Sequence, residues 1–390
     1  MKIAFDTWAL ESRFRNQGTY VYARSLMSEL KKAVARLPGI EFCAFAPRKG
    51  CNDAALLEPA PGFSIARSPL LDHDRLWRMG GASAAARRVS AELMFSPSCN
   101  VLPLGSPPMV CTIHDVTPMV MPCHSRRIVL AQRCFLRAAA RGSRALITVS
   151  ECSKRDLVEI CGVPEDKISV VNNGYDREFF NDAPVDPAQQ RALRERLGIQ
   201  RPYLVHHGVI QPRKNLNRLI EAYRLLLSRQ RELNLDLVIA GPLGWQYQAI
   251  LAAGEDGFGG RGRVLFPGTL GREDLAVLVK GASLVVIPSL YEGFCIPMVE
   301  SMACGMPAIV SDNSCFREIS ANALLYFDPL SIEDMAAKME SALFDSELRK
   351  QIRSRGLQRA SDFSWERCAR ETLRVLLRAA GRELSREARA

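Results

Sequence analysis

A chain of 390 residues is longer than one ordinary hydrophobic core serves, which makes two domains the default. With 47% apolar and 24% charged residues the composition is that of a soluble globular protein, and no apolar run approaches the roughly 20 residues of a spanning helix, which excludes an integral membrane class. The net charge of +10 is unevenly placed: residues 1–180 carry 24 Lys and Arg against 17 Asp and Glu, an excess of 7, and the remainder 28 against 25, an excess of 3.

The opening "MKIAFDTW" runs straight into a strand-like pattern, so no signal peptide is expected. Twelve cysteines are scattered, several inside apolar runs such as "EFCAFAP" and "MVCTIHD", and none forms a CxxC pair. Reduced, buried thiols in a cytosolic protein are therefore expected. The histidines include His206 and His207 side by side, but no ligand spacing matches a zinc site, so no metal is expected.

Short apolar runs alternate with longer amphipathic ones, the pattern of parallel sheets flanked by helices. In the front half "KIAFDT", "EFCAFAP", "LMFSPS", "PMVCTIHD", "ALITVS" and "ISVVNNG" read as strands, and "TYVYARSLMSELKKAVARL" as a helix with apolar positions three and four apart. From Val116 to Ser150 there is no acid, while Arg126, Arg127, Arg133, Arg137, Arg141 and Arg144 fall in one predicted helix. Five of them make a stripe that suits anionic lipid headgroups, a phosphate-bearing acceptor, or simply a solvated face. The polar, proline-marked "DREFFNDAPVDPAQQ" reads as the interdomain linker. The expected domains are 1–180 and 195–364.

In the back half "YLVHHGV", "LDLVIAG", "RVLFPG", "SLVVIPS" and "PAIVSD" read as strands, each followed by a turn and a helix. Two doubly wound α/β domains facing each other across a cleft are expected, with ligands beyond the carboxyl ends of the strands. The first such loop is "IQPRKN", with a helix starting near Asn215, a residue type suited to capping. A phosphate there would meet backbone N–H groups, the positive helix end, and Arg213 and Lys214. The second is "LYEGFC" before the helix "IPMVESMACG", with Pro297 suiting the first turn and Gly305 the stop. Glu292 lies in this loop and Glu300 about one turn into the helix. Glu151 and Glu159 are also eight apart, so spacing alone says little. The apolar setting is what matters, because an unpartnered carboxylate there is costly and vicinal sugar hydroxyls would relieve it. Gly293 lets the backbone pass close to a ligand, and the N–H groups of Phe294, Cys295 and Ile296 suit hydroxyls or phosphate oxygens.

These residues carry a family resemblance. The E-x7-E stretch "YEGFCIPMVE", "PGTL", the loop ending "PRKN", "TIHDVTP", "TVSECSKRDL" and "VVNNGYD" resemble the retaining GT-B glycosyltransferases of family 4, and among them the bacterial mannosyltransferase-like group. The resemblance implies a GT-B fold, with a C-terminal helix over 365–390 crossing back to the first domain, which is the acceptor side in relatives. It implies that Glu300 binds both ribose hydroxyls of a nucleotide, that Glu292 contacts the donor sugar, and that Arg213 and Lys214 neutralise the diphosphate. The turn Gly268, Thr269, Leu270 would lie beside the base, Gly208 and Gly18 would admit the backbone to the donor, and His114, oriented by Asp115, would stand near the donor sugar. Two positions depart from the pattern: Asn16 replaces the earlier glycine of the first loop, and Val209 stands where many relatives carry arginine, a charge that Arg213 is expected to supply.

The reaction implied is transfer of a sugar, GDP-mannose being the first choice of donor and UDP-sugars the next, to a saccharide or lipid-linked saccharide acceptor. Retention is implied through front-face attack, with the leaving phosphate taking the acceptor proton and neither a protein nucleophile nor a divalent metal required. A sugar-nucleotide epimerase or hydrolase on the same architecture is the rival reading. Nucleic-acid binding is not expected, since aromatic interleaving and recognised motifs are missing. The expected location is cytoplasmic, with peripheral contact to the anionic inner membrane face.

Overall fold

The computed structural model describes residues 1–11, 18–46, 56–105, 107–121, 124–255 and 259–382. Asn16 and residues 383–390 of the expected last helix lie outside them. The chain forms two units: Met1–Gly174 together with Trp365–Ala390, and Tyr175–Ser364.

The first unit contains β1 (Lys2–Phe5), β2 (Glu41–Ala46), β3 (Phe63–Arg67), β4 (Leu93–Ser96), β5 (Met109–Thr112), β6 (Ala145–Thr148) and β7 (Ile168–Val170). They make one sheet in the order β3-β2-β1-β4-β5-β6-β7, parallel throughout. Ile3 sits opposite Phe42 on one side and Leu93 on the other. The central strands are apolar at nearly every position because helices cover both faces of such a sheet. Just beyond β1, the fully buried Asp6 accepts hydrogen bonds from Ser96 Oγ (2.7 Å), Trp77 Nε1 (2.8 Å) and the Trp8 amide (3.1 Å). Burial raises its pKa, and those three donors oppose the rise.

The helix Gly18–Val34 buries Tyr22, Leu26, Leu30 and Val34 along one stripe. The helix Trp365–Ala379 belongs to the same unit, with the Trp365 ring 6.0 Å from that of Tyr22. Its buried Trp365, Cys368, Ala369, Thr372, Leu373 and Leu376 repeat at three and four, a pattern readable from sequence alone.

The second unit contains β8 (Tyr203–His207), β9 (Asp236–Ala240), β10 (Val264–Gly268), β11 (Leu284–Ile287), β12 (Ala308–Ser311) and β13 (Leu325–Phe327). Its parallel sheet runs β10-β9-β8-β11-β12-β13, repeating the winding order of the first six strands. The order reverses between β8 and β11, which is where such sheets bind ligands. Its core packs Leu204, Leu237, Ile239 and Val286 of the sheet against Leu219 and Tyr223 of the helix Leu216–Arg229 and Met335 and Met339 of the helix Ile332–Phe344.

Several expectations need correction. The edge strands β3 and β13 were not anticipated; β3 is only partly buried along most of its length, and β13 has three residues, too little pattern to read. The segment 176–190 is part of the second unit rather than a linker: Arg177 Nη2 donates to the carbonyls of Phe363 (2.7 Å) and Ser361 (2.9 Å), and Lys280 Nζ donates to Asn181 Oδ1 (2.9 Å). The unit boundary falls after Gly174, not at 180. The arginine stripe is incomplete, because Arg133 turns inward and donates to the Pro118 carbonyl (2.6 Å), and Arg144 lies past the helix Arg126–Gly142. Asn215 does not cap its helix: it takes a left-handed conformation (φ 57°), and its Nδ2 donates to the Pro329 carbonyl at 2.7 Å.

One glycine pair sets the backbone beside the strand reversal. Gly241 has φ 152°, and a Cβ there would lie 1.9 Å from the Gly208 carbonyl oxygen. Gly241→Ala is therefore expected to lower the thermal unfolding midpoint, through a cost of about 2–4 kcal/mol from overpacking and backbone strain. Gly18→Ala, where a Cβ meets nothing within 4 Å, should leave that midpoint unchanged in the same melting experiment.

Candidate active site

Past β8 the chain turns through Gly208 (φ 144°) into the single 3-10 turn Pro212–Lys214. Past β11 it runs through Tyr291–Cys295 into the helix Ile296–Ala303. The two loops are stitched together, since the Leu290 amide donates to the Arg213 carbonyl (2.9 Å) and Arg213 Nη1 donates to the Tyr291 carbonyl (2.5 Å). Glu292 closes the arrangement. One carboxylate oxygen is 2.6 Å from Lys214 Nζ and the other 2.8 Å from Arg213 Nη1. The residue is only 7% exposed. Burial pushes its pKa up, but Arg213 and Lys214 outweigh that and hold it at about 2. Both cations are thereby fixed in place before any ligand arrives, leaving one net positive charge for the trio.

Cys295 takes the left-handed conformation (φ 67°) that turns the loop into the helix, Pro297 occupies the first turn, and Gly305 (φ 63°) follows the end. Glu300 lies on this helix and is 2% exposed, whereas Glu151 and Glu159, the other pair eight apart, are both exposed. Glu300 Oε1 accepts from Arg272 Nη2 at 2.6 Å. Burial raises the Glu300 pKa and Arg272 opposes the rise. Its other oxygen is 3.7 Å from Nδ1 of His207, a separation beyond hydrogen bonding.

His206 and His207, at the end of β8, are buried. Burial, with nearby cations acting the same way, pushes their pKa values down to about 4 and about 3. His206 Nδ1 meets the Val286 carbonyl at 3.0 Å; a carbonyl only accepts, so Nδ1 carries the proton and Nε2 is the free acceptor. Among the described residues, Nε2 of His206 and Nε2 of His207 have no hydrogen-bond partner.

The structure thus brings Arg213, Lys214, Glu292 and Glu300 to the strand reversal, with Gly208 beside Lys214 and Gly293, Phe294, Cys295 and Ile296 leading into the helix. Gly268, Thr269 and Leu270 lie at the carboxyl end of the edge strand β10, where Gly268 (φ 76°) accepts from the Gly241 amide. In the first unit, His114 follows β5; its Nε2 meets the Pro97 carbonyl at 3.0 Å and its ring packs edge-on against Tyr22 at 4.6 Å. Burial lowers its pKa. The Asp115 carboxylate accepts from the Thr117 amide at 2.8 Å, so it shapes the turn. Gly18 opens the helix that carries Tyr22. Sequence reading missed Arg272. Its signal was a cation at the first position of the helix Arg272–Lys280, where the helix dipole disfavours positive charge.

A family model described as "Glycosyl transferases group 1" matches residues 189–359, and one described as "Glycosyltransferase Family 4" matches residues 21–179. The chain belongs to these glycosyltransferases. It is 29% identical over 267 residues to the O-antigen chain mannosyltransferase B of Escherichia coli, covering 68% of each chain. It is 26% identical over 265 residues to the serotype-specific mannosyltransferase WbdA of Escherichia coli, covering 67% of this chain but only 32% of that protein. Among solved structures, Anabaena HepE in complex with UDP and glucose matches with a TM-score of 0.72 at 20% identity, over 96% of this chain and 99% of that one. The fold is accordingly GT-B.

The two buried histidines make a pH prediction. Their pKa values lie below the ordinary 6.5, so below pH 6.5 the unfolded chain binds protons that the folded one excludes. Stability contributed by their neutrality is present above pH 6.5 and is lost as pH falls toward 4 and then 3. Urea unfolding from pH 7 to 4 should show this decline, and His206→Gln with His207→Gln should flatten it by up to about 1.4 kcal/mol per pH unit for each histidine.

Proposed function

We propose that this glycosyltransferase moves a mannosyl residue from GDP-mannose, with retention of anomeric configuration, to a saccharide or lipid-linked saccharide in surface polysaccharide synthesis. The observation that carries the reading is the buried Glu292 held between Arg213 and Lys214 at the strand reversal. As the bond between the sugar and the diphosphate breaks, negative charge grows on the leaving oxygens. Arg213 and Lys214, already oriented, stabilise that charge without reorganising. Glu300 is assigned to the ribose hydroxyls, Gly268, Thr269 and Leu270 to the base, and Gly208 and the Gly293–Ile296 backbone to the diphosphate and sugar. In the first unit we assign His114 to the donor sugar and Gly18 to close backbone approach; the open space at Gly18 supports the latter. Glu292 has both oxygens engaged by cations, which makes it a poor nucleophile and favours front-face attack over a double displacement. No divalent metal enters this reading. Mannose is favoured by the two mannosyltransferases named above, and a nucleotide donor by the UDP bound in Anabaena HepE.

GDP-mannose should raise the melting temperature more than UDP-glucose or ADP-glucose, since a ligand at about 100 times its Kd stabilises by about 2.7 kcal/mol. Glu300→Ala and Lys214→Ala should each abolish the shift; variants that respond like the wild type would remove the site assignment.

No helix of the described residues is long and apolar enough to cross a membrane. We propose that the helix Arg126–Gly142 lies on an anionic bilayer surface, because Ile128 and Leu130 are exposed (48% and 63%) alongside the exposed Arg126, Arg127, Arg137 and Arg141. Co-sedimentation with phosphatidylglycerol vesicles should fall at least tenfold for Arg127→Glu combined with Arg137→Glu. Unchanged sedimentation, or equal retention on neutral vesicles, would remove the membrane reading.

A further inference from the structure

Glu300 is the carboxylate assigned to the ribose, yet it is 2% exposed and its Oε1 is covered by Arg272 Nη2 at 2.6 Å. The Arg272 side chain that covers it is partly accessible, 35% exposed. A diol approaching Glu300 from solvent therefore meets Arg272 first. In the same position Arg272 already has partners that it can keep when Glu300 is taken by another group: its Nε is 3.6 Å from Asp176 Oδ2, and its guanidinium lies 4.6 Å from the centre of the Phe180 ring. Asp176 is itself one-third exposed, so moving toward it keeps the arginine paired and stacked without burying a further charge.

We infer that Arg272 is an internal competitor for Glu300, one that the ribose of the nucleotide must displace toward Asp176 and Phe180. It is thus a specificity-determining residue that weakens the hold on the nucleoside diphosphate and speeds its release. The inference rests on the ribose role proposed for Glu300. The competition is specific in chemistry: a ligand without the 2′ and 3′ hydroxyls gains nothing at Glu300 and leaves the Arg272 pair intact. Ribose recognition is thereby set by a difference between two buried hydrogen-bonding arrangements, each charge-assisted, so the net contribution of the diol is smaller than its contacts alone would provide.

The test is calorimetric titration of the full chain with GDP, UDP and their 2′,3′-dideoxy forms at pH 8.5, which keeps proton competition for Glu300 small. Arg272→Ala should bind the ribose form about tenfold tighter than wild type, while its affinity for the dideoxy form stays the same. Stopped-flow dissociation should slow by a similar factor. Arg272→Lys should fold in any case and show a smaller gain of the same kind, because an ammonium group does not make the planar contact. Weaker binding of the ribose form by both variants, or equal tightening for ribose and dideoxy forms, would overturn the inference while leaving the nucleotide site in place. Failure of the wild type to bind any of the four nucleotides would instead remove the nucleotide reading itself.

Discussion

The arrangement at the strand reversal depends on one buried ion trio. Glu292 could not sit in so apolar a loop as a lone anion, and Lys214, 6% exposed, could not sit beside it as a lone cation. Together with Arg213 they neutralise most of each other's charge and tie the loop after β8 to the loop after β11. Breaking one member leaves a buried charge behind, so the trio holds the site together as well as furnishing it with positive charge. The trio is left with a single net positive charge.

The same economy of charge recurs nearby. Glu300 is matched by Arg272, and the two histidines at the end of β8 are kept neutral because burial and the surrounding cations both disfavour a further proton. The site therefore holds two carboxylates and three cations within one unit without an isolated buried ion, and among the described residues its unpartnered buried side-chain atoms, Nε2 of His206 and His207 and Oγ of Ser289, are uncharged. Such a neutral acceptor is tolerable in the absence of a ligand, where a bare charge would not be.

The two units share a winding order but differ in what stands at the reversal. In the first unit the position after β1 is taken by Asp6, satisfied by Ser96, Trp77 and Trp8, which consolidates the fold. In the second unit the equivalent edge of the sheet carries the glycine turn and the cations. Duplicated topology thus hosts distinct tasks, since function resides in the side chains placed on a fold rather than in the fold itself.

Much was legible in the residue order alone. Alternating apolar runs specify parallel sheets and helices because their periods differ, and the central strands and the Pro297 and Gly305 punctuation follow from local pattern, whereas the pairing of Glu292 with Arg213 and Lys214, in place of the sugar hydroxyls expected to satisfy it, joins two loops distant in the chain. The weakly patterned edges β3 and β13 were not legible, and neither was the contribution of residues 176–190 to the second unit, whose contacts with residues near 361–363 are nearly two hundred positions distant in the chain. Tertiary structure alone decided that Asn215 bonds to the Pro329 carbonyl instead of capping its helix, and that Arg133 faces inward. It also decided that Arg272 covers Glu300. These depend on which side chains converge from separate elements, and local periodicity carries no record of that convergence.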